Sequence, residues 1–295
     1  MTYLITILKP TLRVLKINPL SVFEFIGALS LGWAIRVQKL RSLIGRLREI
    51  EPDIADQENS SVEGFNAFWE LKRRALQAFQ CRLMLRVSTP LKTELTVVDI
   101  GDSSGRHMRY LQKLSNNKNV KAIGVNLDPR AISKIRSRGG EAILCRAEEL
   151  DLGERKVDFY TSFQMVEHLH NPSYFFRNLA VKGSGNQLLV TLPLLKQSRV
   201  GFHCMKGGAH KQIFAEDEHI LELSPKDWLL LMRHSGWKAV WQESYFQYPR
   251  GLPVISWLFS KFWKRFDYEG FWGVLLEKDL IESNKYQDWP KELSL

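Results

Sequence analysis

Three side chains in this sequence are of types that move protons. Glu167 and His168 adjoin in Gln164-Met-Val-Glu-His168, and His219 sits in Ala215-Glu-Asp-Glu-His-Ile-Leu-Glu-Leu-Ser-Pro225. One carboxylate and two imidazoles can take a proton from an alcohol or phenol, and the same donor types suit a divalent cation. Gln164 would add only a weak neutral ligand. A plainer reading stays open, in which Glu167 and His168 close a turn and His219 packs against a nearby loop. His203, Cys204 and His210 follow no metal spacing and read as loop residues. A second chemical stretch is Thr96-Val-Val-Asp-Ile-Gly-Asp-Ser-Ser-Gly-Arg106. It runs from a β-branched strand through an acidic end into a small-residue turn, where Gly101 and Gly105 permit close backbone approach to a ligand.

These residues need a scaffold, and the pattern around them supplies one. From Leu95 onward apolar runs alternate with helical periodicity. Strands are predicted near 95–101, 120–126, 142–146, 157–162 and 187–192, with helices near 106–114, 130–138 and 172–181. Such alternation predicts an α/β fold with a doubly wound, mostly parallel sheet. Residues 239–245 and 271–278 read as a last strand pair, completing seven strands. Ligands bind beyond the carboxyl ends of the strands in such a sheet, which is where the candidate residues fall.

Four strand ends, taken in order, resemble the class I S-adenosylmethionine-dependent methyltransferases. They are Asp99-Ile-Gly-Asp-Ser-Ser-Gly105, Gly124-Val-Asn-Leu-Asp-Pro129, Cys145-Arg-Ala-Glu148 and Thr161-Ser-Phe-Gln-Met-Val-Glu-His-Leu169. The resemblance covers about residues 95–245 and is strongest to the group with the ubiquinone-biosynthesis O-methyltransferases. It implies S-adenosylmethionine as cofactor, held by Asp99, Gly101, Asp102, Ser103, Gly105, Asn126, Leu127, Ala147, Glu148 and Phe163. It also implies Glu167, His168 and His219 as catalytic residues. In those relatives and in the small-RNA terminal 2′-O-methyltransferases, a Glu-x-x-Glu-His pattern and a downstream histidine hold a divalent metal, so a metal and a metal-free histidine base both stay open. Three positions depart from the family pattern. Ser103 stands for a glycine, Asn126 for the acidic residue that accepts from the ribose hydroxyls, and Arg146 for the acidic partner of the adenine amine.

The remainder bounds the setting. The chain has 295 residues, 44% hydrophobic and 25% charged, with net charge +10 and three cysteines, Cys81, Cys145 and Cys204. This is globular composition, and cysteines without CxxC pairing fit the reducing cytoplasm. Basic charge attracts phosphates of lipid or nucleic acid. Lys9, Arg13 and Lys16 interrupt the first apolar residues, unlike a signal peptide. Phe25–Ile35 is uncharged over about 11 residues, against roughly 20 needed to span a bilayer. Val22, Ile26, Leu29, Trp33, Val37, Leu40, Ile44 and Leu47 instead predict one amphipathic helix, packed on protein or lying in a membrane interface.

The division expected is a helical extension and linker over 1–60, the linker beginning at Glu51, and a methyltransferase domain over 61–295. The second part would open with a Ser60/Glu63 capping box and an apolar face of Phe65, Phe68, Leu76, Phe79 and Leu83. It would carry a substrate lid at 195–223 and an aromatic, basic insert at 246–270. In that insert Trp257, Phe259, Phe262 and Trp263 interleave with Lys261, Lys264 and Arg265, which suits a headgroup-level helix or a cover over an apolar pocket. The function expected is methylation of a hydroxyl on a lipid-linked or otherwise hydrophobic acceptor. A cofactor-free scaffold and an RNA methyltransferase are the alternatives, the latter without an Asn/Asp-Pro-Pro-Tyr motif or an appended RNA-binding module.

Overall fold

The computed structural model describes residues 19–54, 66–115, 119–201, 219–251, 253–264 and 269–289. In chain order the first elements are helices α1 (Pro19–Val37), α2 (Arg41–Ile50) and α3 (Ala67–Ser88). There follow β1 (Glu94–Ile100), α4 (Arg106–Leu114), β2 (Asn119–Asn126), α5 (Pro129–Ser137), β3 (Glu141–Leu144), β4 (Phe159–Phe163), α6 (Pro172–Lys182) and β5 (Gln187–Pro193). The short pair β6 (Arg199–Val200) and β7 (Leu221–Glu222) precedes α7 (Pro225–His234), β8 (Trp237–Phe246), α8 (Pro253–Lys264) and β9 (Gly270–Lys278). By compactness the chain divides into two units, 1–82 with 244–271 and 83–243 with 272–295. These boundaries differ from a division at residue 60: the first part of α3 and the 246–271 region fall with the N-terminal helices.

In the larger unit, helix starts follow local chemistry. Asp128, Asn171 and Ser224 each accept a hydrogen bond from the backbone of the first turn, at Arg130, Tyr174 and Asp227, and each precedes a proline. Proline at the first helical position loses only an N–H that has no partner there. The seven-stranded sheet has the order β3-β2-β1-β4-β5-β9-β8. Its first four pairings are parallel, with Val98 opposite Ile123 and Tyr160, and Thr161 opposite Leu189. The Lys278 N–H donates to the Asn186 carbonyl at 2.9 Å, which brings the end of β9 to the start of β5, the antiparallel sense. All five residues of β4 are buried, as a central strand covered on both faces requires. The core around it includes Val98 from β1, Ile123 from β2, Leu188 and Val190 from β5, and Phe175 from α6.

In the smaller unit, the expected continuous helix is broken. Lys39 adopts φ 57°, and the chain turns between α1 and α2. The apolar residues therefore fall on different sides: Leu40, Ile44 and Leu47 are buried, but Leu29, Trp33 and Val37 are exposed. The buried side of α1 is instead Gly27, Ser30, Leu31, Ala34 and Ile35. Close approach explains the small residues, since a Cβ on Gly27 would lie 2.6 Å from the Phe68 ring. Leu31, Phe68, Tyr248 and Trp263 form a core, and the Trp263 indole N–H donates to Ser30 Oγ at 2.9 Å. Asn66 caps α3 by accepting from the N–H groups of Phe68 and Trp69. Ser60, Glu63 and Phe65 lie outside the described residues. Residues 51–54 are not free linker, because the fully buried Arg74 donates to the carbonyls of Glu51 and Pro52 and to Glu70, and Ile54 is buried.

Arg74→Met keeps much of the volume but leaves two carbonyls without their charged donor, at about 1.5–3 kcal/mol each. Urea unfolding is expected to show a loss of about 3 kcal/mol, and an unchanged midpoint would remove Arg74 as the anchor of residues 51–54.

Candidate active site

The turn after β1 is shaped by its own side chains. Asp102 Oδ1 accepts from the N–H groups of Ser104 and Gly105 at 3.0 and 2.6 Å. The Gly101 N–H donates to the Val125 carbonyl at 2.8 Å, tying the turn to the end of β2. Gly101 and Gly105 have φ of 92° and 72°, a left-handed backbone that a Cβ would strain. Gly105 is also the residue before α4, so the first N–H groups of that helix open at the turn.

The neighbouring strand end is locked to it. Asn126 Nδ2 donates to the Asp102 carbonyl at 3.0 Å and Asn126 Oδ1 accepts from the Asp128 N–H at 2.8 Å. The amide thus bridges both turns, a task for which a carboxylate lacks the donor. Leu127 beyond it is exposed. At the third strand end, Arg146 is half exposed and lies 3.7 Å from Glu148, while Glu148 is buried and its carbonyl accepts from Asn178. Ala147 opens the short turn that holds Glu148.

Asp99, at the end of β1, is 2% exposed. Burial and the nearby Asp102 charge push its carboxyl well above the ordinary range, against a hydrogen bond from Thr161 at 2.7 Å. Its Oδ2 has no hydrogen-bond partner. A buried acceptor beside two left-handed glycines and a helix N-terminus fits the charged amino-acid end of S-adenosylmethionine, and Ser103, half-buried, leaves the turn open to it. Phe163 packs edge-on against His107, whose imidazole is held down at about 3 by burial.

The chemistry-bearing residues meet beyond β4. Gln164 takes φ 52° and gives its N–H to the Thr191 carbonyl and its side chain to Thr191 Oγ1, so it is committed to β5. Glu167 and His168 follow in a single turn, Val166–His168. His219 comes from just before β7, and one donor atom from each of Glu167, His168 and His219 lies within 4.8 Å of the others. The two imidazoles pack edge-on at 4.8 Å between centroids. In type and spacing the three could hold a divalent cation. The segment 202–218 between β6 and β7, including His203, Cys204 and His210, lies outside the described residues, so the lid expected at 195–223 is represented by its flanks.

Two further residues complete the cluster. Glu222 on β7 takes His219 Nδ1 at 2.9 Å and is bound on its other oxygen by Arg199 from β6. Burial pushes Glu222 up, but the hydrogen bonds and charges of His219 and Arg199 outweigh it and hold the carboxyl down at about 2. Glu222 therefore stays ionised and orients the imidazole. Its visible sequence signal is the spacing His219-Ile-Leu-Glu222, which reads as loop until a strand pair turns both side chains the same way. Glu167 is the opposite case. It is wholly buried with both oxygens lacking hydrogen-bond partners, and burial pushes it up to about 7 despite the attraction of His219.

This sheet order, with a glycine turn after the first strand, is that of the class I methyltransferase fold. Residues 98–181 match the family described as a methyltransferase domain. No curated protein matches the sequence. Among solved structures, one described as a sarcosine dimethylglycine methyltransferase from Galdieria sulphuraria has TM-score 0.51 at 13% identity, covering 71% of this chain and 88% of that one. Geranyl diphosphate methyltransferase in complex with S-adenosylmethionine has TM-score 0.50 at 15% identity, covering 76% and 94%. The [4+2]-cyclase SpnF has TM-score 0.50 at 11% identity, covering 86% and 97%. At these identities the likeness is one of fold.

Two outcomes test the site. A Cβ at Gly101 would lie 2.5 Å from Met165 Cγ at a φ that disfavours it, so Gly101→Ala is expected to cost about 2–4 kcal/mol and to weaken cofactor binding in calorimetry. Unchanged affinity would separate the turn from the cofactor. Glu167 has a folded pKa raised from 4.5 to about 7, so its contribution to stability is full below pH 4.5 and is lost as pH rises through 7. Glu167→Gln is thus expected to match the parent in stability near pH 4 and to exceed it by up to about 3 kcal/mol above pH 7. A difference that does not vary with pH, measured by urea midpoints, would contradict this.

Proposed function

We propose that this methyltransferase methylates a hydroxyl of a hydrophobic or lipid-linked small molecule, with His219 as the base. The observation that carries the reading is the chain Arg199–Glu222–His219, which ends against Glu167 and His168. With Glu222 ionised and bonded at Nδ1, the proton of the neutral imidazole sits on Nδ1 and the basic lone pair on Nε2. An amine acceptor has its own lone pair, whereas a hydroxyl gains from a base placed beside it.

S-adenosylmethionine supplies an electrophilic methyl on a sulfonium. His219 Nε2 would take the hydroxyl proton of the acceptor as its oxygen gains the methyl in place of the sulfonium sulfur, so that the C–O bond formed balances the S–C bond broken. Asp99, Gly101, Asp102, Ser103 and Gly105 would hold the amino-acid end, Asn126 the ribose, and Leu127, Ala147, Glu148 and Phe163 the adenine surroundings. His168 and Glu167 would position the acceptor hydroxyl. The aromatic and basic composition of the sequence over 246–270 favours an apolar acceptor over a small polar metabolite.

His219→Ala is expected to lower kcat by about 10²–10⁴ with cofactor affinity retained. Glu222→Gln should lower it less and move the acid limb of the pH–rate profile. The assay follows labelled methyl from S-adenosylmethionine into extracted lipids and tests the product for an ether bond. Methylation at nitrogen, or full activity in His219→Ala, would defeat the reading. Loss of activity in EDTA with recovery on adding Mg²⁺ would instead make Glu167, His168 and His219 the ligands of a cation.

A further inference from the structure

The unit formed by 1–82 and 244–271 presents apolar side chains to solvent in two ordered rows. On α1, Phe25, Leu29, Trp33 and Val37 recur every four residues along one face, and Phe25 is 66% exposed. On α8, Val254, Trp257 and Leu258 are exposed, the last two at 53% and 55%. The two helices are clamped side by side by the stacked rings of Phe23 and Phe262, 5.4 Å apart, and by the Trp263–Ser30 hydrogen bond. Each helix has already satisfied its own core with its other face, through Leu31 on α1 and Trp263 on α8.

The charges that these helices leave to solvent are basic. α8 carries Lys261 and Lys264 and no acidic residue. The single acid of α1, Glu24, is engaged by the side-chain amide of Asn66. Lys261 Nζ lies 3.9 Å from the centre of the exposed Trp257 ring, an arrangement that sets an indole at one level and an ammonium directly above it. Arg36 lies in the last turn of α1, and the turn and helix after it expose Lys39, Arg41 and Arg46. Next to Trp257, Arg250 lines an open groove of about 350 Å³ with Tyr248 and Ser256.

We propose that this face docks on an anionic lipid bilayer, with Trp33, Trp257 and Leu258 at the depth of the headgroups and Lys261, Arg36 and Arg250 against lipid phosphates. A second copy would bring the same positive charges to the contact, which repel, while an anionic surface attracts them. Among the described residues no helix is long and apolar enough to cross a membrane, so the attachment is interfacial. The docking does not depend on which acceptor the active site takes.

The test is flotation of the full chain with vesicles of phosphatidylcholine alone and of phosphatidylcholine with phosphatidylglycerol. The protein is expected to float with the mixed vesicles, to stay below with the neutral ones, and to be released by high salt. Trp257→Ser with Leu258→Ser, and separately Lys261→Glu, should each lower the floated fraction at least tenfold while cofactor binding shows that the fold is kept. His219→Ala should float like the parent, which separates this outcome from that of the proposed reaction. Equal flotation of the Trp257/Leu258 variant, no flotation with anionic vesicles, or a dimer in solution that the same substitutions dissolve would each overturn the proposal.

Discussion

The carboxylate of Asp102 holds the turn on which the ligand-binding end of the sheet depends. By accepting from Ser104 and Gly105 it folds the chain back at the end of β1, and its own carbonyl takes the amide of Asn126 from the next strand end. Two adjacent crossovers are thereby fixed by one residue. Burial pushes Asp102 up, and the two backbone donors work against that shift. A turn of this kind is stiff because its polar groups have no water to turn to. Asn126 looks like a weakened ribose acceptor when set against an acidic residue at that strand end, yet in this molecule it is also a brace, since an amide, unlike a carboxylate, can donate to one turn while accepting from the other.

Buried acids carry the remaining tension. Asp99 sits at the end of β1 and Glu167 in the turn after β4, each desolvated and each raised from its ordinary pKa. Neither is there for stability, since a neutral isostere would be easier to bury. Groups kept in an unfavourable state at the open end of a parallel sheet are what a binding or catalytic site accumulates. Glu222 shows the contrast. Its side chain is equally out of contact with water, but Arg199 and His219 compensate its charge, and it can act as a fixed anion.

Much of the sheet is legible in the sequence because each strand is a short apolar run bounded by turn residues. The helical periodicity over 106–114 coincides with α4, Arg106–Leu114. The four strand ends follow in the expected order, and Glu167, His168 and His219 do meet. What is not legible depends on contacts distant in sequence. Helical spacing of Val22 to Leu47 fits one stripe, but it carries no sign of which side finds a partner. The turn at Lys39 and the small residues Gly27, Ser30 and Ala34 put the core on the other side of α1. Arg199 and Glu222 escape a reading by pattern because β6 and β7 are two residues each, too short for any periodicity, and they pair across a long connection.

The fold alone does not choose the reaction, as its likeness to a cyclase makes plain. What distinguishes one such protein from another is the set of groups that arrive from beyond the sheet. Here the sheet contributes Asp99 and the Glu167–His168 turn, and the β6–β7 pair contributes a histidine already aimed by an ionised glutamate. An enzyme that only brought two reactants together would need no such device, because positioning does not call for a proton acceptor. A carboxylate that holds Nδ1 and is itself held by arginine fixes both the ring and its tautomer, which matters when a proton has to leave the acceptor as its oxygen attacks. The proposal of a hydroxyl acceptor rests on that acid–base pairing, and the residues that set it lie outside the strand ends by which the fold is recognised.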